Sequence, residues 1–213
     1  MEWFAQLLQY IVHLDAHLLG FANEHGRWIY ALLLLIIFCE TGLVVTPFLP
    51  GDSLLFVAGA LAGAGTLDID VMVIVLVMAA ILGDSLNFGI GRWIGPRVFR
   101  FEDSWLFRRR YLDAANAFYQ RHGGKTIVIA RFVPIVRTYA PFVAGACSMD
   151  YRRFLGFNVI GAVLWIALLS YAGYFFGGLT VVKNNLTLVI LGIIALSLMP
   201  AVIEYLRGRR AAR

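Results

Sequence analysis

The sequence predicts an all-α integral membrane protein, a polytopic helical bundle built around two inverted re-entrant helical hairpins. Three observations predict it. The chain is 61% hydrophobic and only 15% charged, with a mean hydropathy of +0.79, where a soluble domain carries roughly 25% charged residues. The apolar residues come in long uncharged runs, 154–179, 185–203 and 53–67; a run of about 18 or more reads as a membrane span, and the first two qualify. Two further segments, near 28–67 and 126–149, are broken by prolines and carry charges where lipid would lie.

Residues 1–27 form the first element, an amphipathic or membrane helix. Glu2, Gln6, Gln9, His13 and His17 recur at spacings of three and four, and Trp3, Phe4, Leu7, Leu8, Ile11, Leu18 and Leu19 fill the other side. That period favours a helix lying in the interface, although Asp15 falls on the apolar side and leaves a bundle-facing span open. The start, Met1-Glu2-Trp3, has no basic region and no cleavage site, so no cleavable leader is expected.

Residues 28–67 contain two short apolar stretches separated by Thr46-Pro47-Phe48-Leu49-Pro50-Gly51-Asp52. A helix cannot run through Pro47, Pro50 and Gly51, and each stretch is short for a full span at about 1.5 Å per residue. A re-entrant hairpin follows, with its broken backbone kept inside protein or facing a wet cavity. Residues 71–95 are a span in which Gly83-x-x-x-Asn87 and Gly91-x-x-x-Gly95 suit close helix packing. Residues 96–125 are arginine-rich, and Ser104 to His122 with Gly123 reads as a capped helix on anionic lipid.

Residues 126–149 form the second hairpin, broken at Pro134 and Pro141 and charged at Arg131 and Arg137. Its Phe142-Val143-Ala144-Gly145-Ala146 repeats Phe56-Val57-Ala58-Gly59-Ala60 of the first. One span separates the two, so the second hairpin enters from the opposite face, and an inverted repeat of the kind transporters use is expected. Residues 154–179 and 185–206 are two more spans. Residues 181–213 hold the last of them and a tail with Arg207, Arg209, Arg210 and Arg213. In this topology the 96–125 loop, Arg152-Arg153 and the tail share one side, which the positive-inside rule makes cytoplasmic.

Charges at mid-membrane cost about 2.5–3.5 kcal/mol each on insertion scales and mark function by default. Here they are Glu40, Asp52, Asp84, Arg131 and Arg137. Glu40 follows twelve apolar residues, 28–39. Buried, a carboxylate stays ionised only beside a cation, so Glu40 is a proton carrier or the partner of an arginine. Asp52 precedes a helix and is an N-cap, a second acid, or both. Asp84, one turn from Asn87, is a third coupling acid or a polar contact between helices. Arg131 and Arg137 offer guanidinium forks suited to phosphate. Alternatively they pair internally with Glu40 and Asp52, and both readings hold if a phosphate displaces the carboxylates. Arg92, at a span's end, is expected to snorkel to the interface.

Other chemistries lack their residues. The net charge of +5 lies in loops, with no interleaved basic and aromatic nucleic-acid motif. Cys39 and Cys147 sit in apolar stretches as packed thiols, not as a disulfide framework. His13 and His17 lack further ligands for a metal, and His122 reads as a helix-end residue. No nucleophile elbow, zinc-protease or phosphate-loop pattern is present, so no enzyme, cofactor or metal is expected.

Glu40-x6-Pro47-x2-Pro50-Gly51-Asp52, then Gly83-Asp84-x3-Phe88-x2-Gly91-Arg92, then Arg131-x2-Pro134-x2-Arg137 with Pro141 and Gly145 resemble the bacterial DedA family, also described as the VTT or SNARE-associated membrane domain. The motifs occur in the family's order, and the likeness covers about residues 28–180. It implies facing re-entrant hairpins in the bacterial inner membrane and translocation of a lipid, with undecaprenyl phosphate recycling the leading role and the proton motive force a driver. Carried over by motif, Glu40 and Asp52 are the acidic pair and Arg131 and Arg137 the essential arginines. The expectation is a flippase for a lipid phosphate, coupled to protons and engaging membrane lipids, with self-association left open. A proton-coupled cation antiporter, using the same acids with structural arginines, and a non-transporting membrane-assembly scaffold are the alternatives.

Overall fold

The structure, a computed structural model, describes residues 26–43, 51–98, 123–179 and 192. The expected N-terminal helix, the turn with Pro47 and Pro50, the core of the 96–125 loop and the last span lie outside the described residues. Those residues form six helices and no strand: α1 (Trp28–Gly42), α2 (Gly51–Gly63), α3 (Ile69–Val98), α4 (Lys125–Ala130), α5 (Pro134–Ala146) and α6 (Tyr151–Phe176). The all-α prediction holds for this part of the chain.

Two helices are long and apolar enough to cross a membrane, Ile69–Gly95 within α3 and Tyr151–Phe176. Both start on an aspartate cap. Asp68 Oδ1 accepts from the amides of Asp70 at 3.0 Å and Val71 at 3.1 Å, and Asp150 Oδ1 from Arg153 at 3.0 Å, quenching donors that a helix start leaves open. On α3 the outward side is apolar, with Val71, Ile74, Met78, Leu82, Leu86 and Trp93 exposed, while Gly83, Asp84, Asn87 and Gly91 are buried. Polar inside and apolar outside is the pattern of a helix solvated by lipid, not water.

The shorter helices end by other means. α2 closes in a Schellman motif, with Thr66 N donating to Leu61 O and Gly65 N to Ala62 O at 3.0 Å, and Gly65 at φ 82°. α5 ends the same way through Met149 to Ala144 and Ser148 to Gly145, which puts Ser148, not glycine, at φ 57°. Pro134 opens α5, and Pro141 lies within it as the helix continues to Ala146. Pro141 has no N–H for the Arg137 carbonyl one turn earlier, so here the proline removes a helical hydrogen bond without ending the helix.

The chain divides into two compact units, with boundaries within α1, α3 and α6 and a fourth between residues 47 and 48. The first comprises residues 1–36, 48–76 and 165–213. Its α2 is buried almost all round, and at 13 residues it spans about 20 Å, short of a bilayer core of about 30 Å. Glycines set its packing. A Cβ on Gly59 would strike the Ser170 carbonyl, one on Gly173 the Phe56 carbonyl, and one on Gly177 the Ala60 side chain. The second unit comprises residues 37–47 and 77–164 and contains the same clasp. A Cβ on Gly145 would strike the Phe88 carbonyl, one on Gly91 the Phe142 carbonyl, and one on Gly95 would fall 2.7 Å from Ala146 Cα. The repeated pentapeptides thus do the same job, each locking a short helix onto a small-xxx-small face. Around the second clasp Phe88 stacks on Phe154 at 4.4 Å, with Ile127 and Ala144 completing the core.

Candidate functional site

Four of the five intramembrane charges collect in the second unit. Glu40 lies near the end of α1 and Asp84 in the middle of α3. The two helices cross at glycines. A Cβ on Gly83 would hit Thr41 Oγ1 and fall 2.9 Å from the Phe38 carbonyl, and one on Gly42 would be 3.3 Å from Gly83 Cα. Only a residue without a side chain lets the backbones, and with them Glu40 and Asp84, approach this closely.

The arginines come from the broken segment. α4 stops after six residues, with Arg131 as its C-cap and Phe132 and Val133 closing a turn onto Ile129 and Ala130. A cation at a helix C-terminus is favourably placed in the helix dipole. Arg131 is 4% exposed, and Gly161 of α6 makes room for it, since a Cβ there would sit 3.3 Å from Nε. Arg137 follows in the first turn of α5.

Each arginine pairs with a carboxylate. Arg131 NH2 donates to Asp84 Oδ2 and to Asn158 Oδ1, and Arg137 NH2 donates to Glu40 Oε1. The internal pairing weighed from sequence is therefore present, with Asp84 as the carboxylate on Arg131. Asp52 belongs to the first unit, where it is the second residue of α2 and accepts from Trp165 Nε1 at 2.9 Å. It lies inside the first turn instead of capping it, where a negative charge still complements the dipole. Gly51 begins α2 and is buried.

Neutral polar side chains frame the pairs; the sequence marked Asn87 only as a helix-packing position and gave Asn158 no role. Asn87, fully buried, donates to the Thr41 carbonyl at 3.1 Å and the Thr138 carbonyl at 2.8 Å. Thr41 follows Glu40 and Thr138 follows Arg137, so one amide ties together the helices that bear that ion pair. Asn158, also fully buried, donates to the Ile81 carbonyl at 3.3 Å while accepting from Arg131. The signal for both was an asparagine inside an otherwise apolar span.

Two carboxylates and two guanidiniums thus share one buried site. Burying an ion pair costs desolvation comparable to its Coulomb gain, whereas stripping one partner costs about 3–5 kcal/mol. Such pairs are therefore close to balance when one anion replaces another, and strongly unfavourable when nothing does. Among the described residues no cluster of potential ligands could hold a metal ion. Cys39 and Cys147 are half-buried thiols.

Capped spanning helices with lipid-facing exteriors, together with buried arginine–carboxylate pairs, define a helical membrane protein with a charged intramembrane site. Residues 49–175 match the VTT domain. The chain is 58% identical over 208 residues to Protein DedA of Escherichia coli, covering 97% of this chain and 95% of that one. It is 46% identical over 178 residues to an uncharacterized membrane protein of Mycobacterium leprae, covering 84% and 80%. It is 35% identical over 179 residues to the inner membrane protein YqjA of Escherichia coli, covering 83% and 80%. No solved structure matches. The chain belongs to the DedA family of VTT-domain membrane proteins, as its motifs implied.

Proposed function

We propose that this protein is a flippase that moves a lipid phosphate, undecaprenyl phosphate foremost, across the bacterial inner membrane. The observation that carries the proposal is the pairing of Arg131 and Arg137 with Asp84 and Glu40 in a buried site. A phosphate presents planar-fork acceptors to a guanidinium as a carboxylate does, so it can take the carboxylate's place. Arg137, whose side chain is 10% exposed against 4% for Arg131, is the arginine a head group meets first. Glu40, displaced into an apolar surround, takes up a proton, because an unpaired buried carboxylate is costly. Loss of that proton on the other side restores the Glu40–Arg137 pair and expels the phosphate. This ties transport to a proton gradient, with Asp84 and Asp52 as further acids.

The segments near 28–67 and 126–149 serve as re-entrant hairpins that gate the site. Supporting this, α2, α4 and α5 have 13, 6 and 13 residues, all too short to cross alone, and the two longer ones carry the same glycine clasp. The arginine-rich 96–125 loop and the C-terminus are cytoplasmic in this proposal.

The test is transbilayer movement of labelled undecaprenyl phosphate in proteoliposomes, for wild type and Arg137→Ala, with and without a pH gradient. Transport by wild type, its acceleration by the gradient and its loss in the variant are expected. Folded wild type that moves no lipid phosphate but carries cations across lipid-only vesicles would overturn the proposal in favour of a cation antiporter.

A further inference from the structure

The second unit holds a second cationic feature, away from its buried ion pairs. On the outer side of α3 and α6, a cleft of about 420 Å³ is lined by Ser85, Phe88, Gly89, Arg92, Trp93 and Tyr151. Arg92 is its only charged lining residue, and no carboxylate lines it. Among the described residues no hydrogen bond or ion pair engages the Arg92 guanidinium, which is exposed. Gly89 forms an open floor, with nothing within 4 Å of where a Cβ would stand. Trp93 and Tyr151 are exposed aromatics at its walls, and the Tyr151 hydroxyl lies 3.3 Å from Ser85 Oγ.

Two features of its position identify what fills it. The cleft continues the apolar outer stripe of α3, since Leu82 and Leu86 lead to Gly89 and Trp93 at helical spacing. It also lies at the end of α3 from which the chain enters the arginine-rich stretch of 96–125. A stripe of exposed aliphatics accommodates acyl chains. Tryptophan and tyrosine belong at the head-group level, where one end of the ring is apolar and the other wet. A guanidinium without an acidic neighbour among the described residues, at that level, calls for an anion.

We propose that this cleft is a binding site for a resident anionic diacyl phospholipid. Its phosphate lies on Arg92, while the Ser85 and Tyr151 hydroxyls are engaged, Ser85 donating to the Ile81 carbonyl at 2.7 Å and Tyr151 to Ser85 Oγ. Its glycerol lies over Gly89, and its acyl chains run along Leu86 and Leu82. The volume suits a head group with its glycerol. The site is distinct from the Arg131 and Arg137 pairs because its arginine is exposed and, among the described residues, pairs with no carboxylate.

Trp93 supplies the probe. Full-length protein is placed in phosphatidylcholine bilayers with brominated phosphatidylglycerol or brominated phosphatidylcholine at equal mole fraction, and the Trp93 signal is isolated by subtraction with Trp93→Phe. Brominated phosphatidylglycerol should occupy the cleft with about a fivefold preference, the contribution of one basic residue near a membrane surface. Arg92→Gln should abolish the preference. So should Gly89→Leu, which fills the floor without meeting another atom at its Cβ. Equal quenching by both lipids in wild type, or a preference intact in both variants, would overturn the proposal. Relief of the quenching by equimolar undecaprenyl phosphate would also overturn it, by making the cleft an entrance for the transported lipid.

Discussion

The Arg131–Asp84 pair makes a quantitative prediction about how the charged site is held. Arg131 and Asp84 are 4% and 5% exposed, and the guanidinium has Asp84 and Asn158 as acceptors. Arg131→Met strips the cation from a buried carboxylate at similar volume, and Asp84→Asn strips the anion while keeping the shape. Each should cost about 3–5 kcal/mol, the range for orphaning one member of a buried pair. Asp84→Asn should fall at the lower end, because the new amide oxygen still accepts from Arg131. The double variant leaves no net charge, so it should cost no more than the worse single variant, which corresponds to a coupling energy of about 3 kcal/mol or more. Reversible unfolding in mixed micelles, followed by circular dichroism, measures all four corners of the cycle. Additive losses within about 0.5 kcal/mol would refute the reasoning, because they would mean that the two charges do not compensate each other.

Other consequences can be tested the same way. Asn87→Leu removes two buried hydrogen bonds and should cost about 2 kcal/mol; Asn87→Asp keeps the size but loses both donors, and should also abolish transport, which a proteoliposome assay reads. Gly59→Val and Gly145→Val each drive a side chain into a facing carbonyl and should destabilise by at least about 1–3 kcal/mol, in similar measure because the two clasps match; thermal unfolding of the pair checks this. Ser148→Gly relieves a left-handed serine at φ 57° and should raise stability by about 0.5–1 kcal/mol, seen as a higher melting temperature.

Much of this was legible in the sequence because lipid leaves few options. Charges such as Glu40, Asp84, Arg131 and Arg137 stand out in an apolar run, and their cost there already marks them. The spans expected at 71–95 and 154–179 appear as Ile69–Gly95 and Tyr151–Phe176, differing where aspartate caps, not hydropathy, set the start. The Phe-Val-Ala-Gly-Ala repeat was visible, but its partner surfaces were not. Those depend on Gly91, Gly95, Gly173 and Gly177 facing it across the fold.

What stayed hidden was pairing. Which carboxylate meets which arginine depends on a crossing of α1 and α3 at Gly42 and Gly83, and no local pattern encodes it. Asn158 carries no charge and so no large insertion cost, which left it inconspicuous, and Asn87 was legible as a packing position but not as the tie between the Thr41 and Thr138 carbonyls. Pro141 looked like a break because proline usually is one in a helix interior; α5 instead runs through it. Asp52 could be placed ahead of a helix, but its hydrogen bond from Trp165 joins residues more than a hundred positions apart.

The central claim is that the buried arginines recognise a phosphate. Its most direct measurement is the affinity of the detergent-solubilised protein for a short-chain polyprenyl phosphate and for the matching polyprenol, by calorimetry, in wild type and in Arg137→Gln. One charged hydrogen bond is worth about 1.5–3 kcal/mol, so wild type should prefer the phosphate by roughly tenfold to a hundredfold, and the variant should lose most of that preference. Equal affinity of wild type for phosphate and alcohol, or a preference untouched in the variant, would contradict the account.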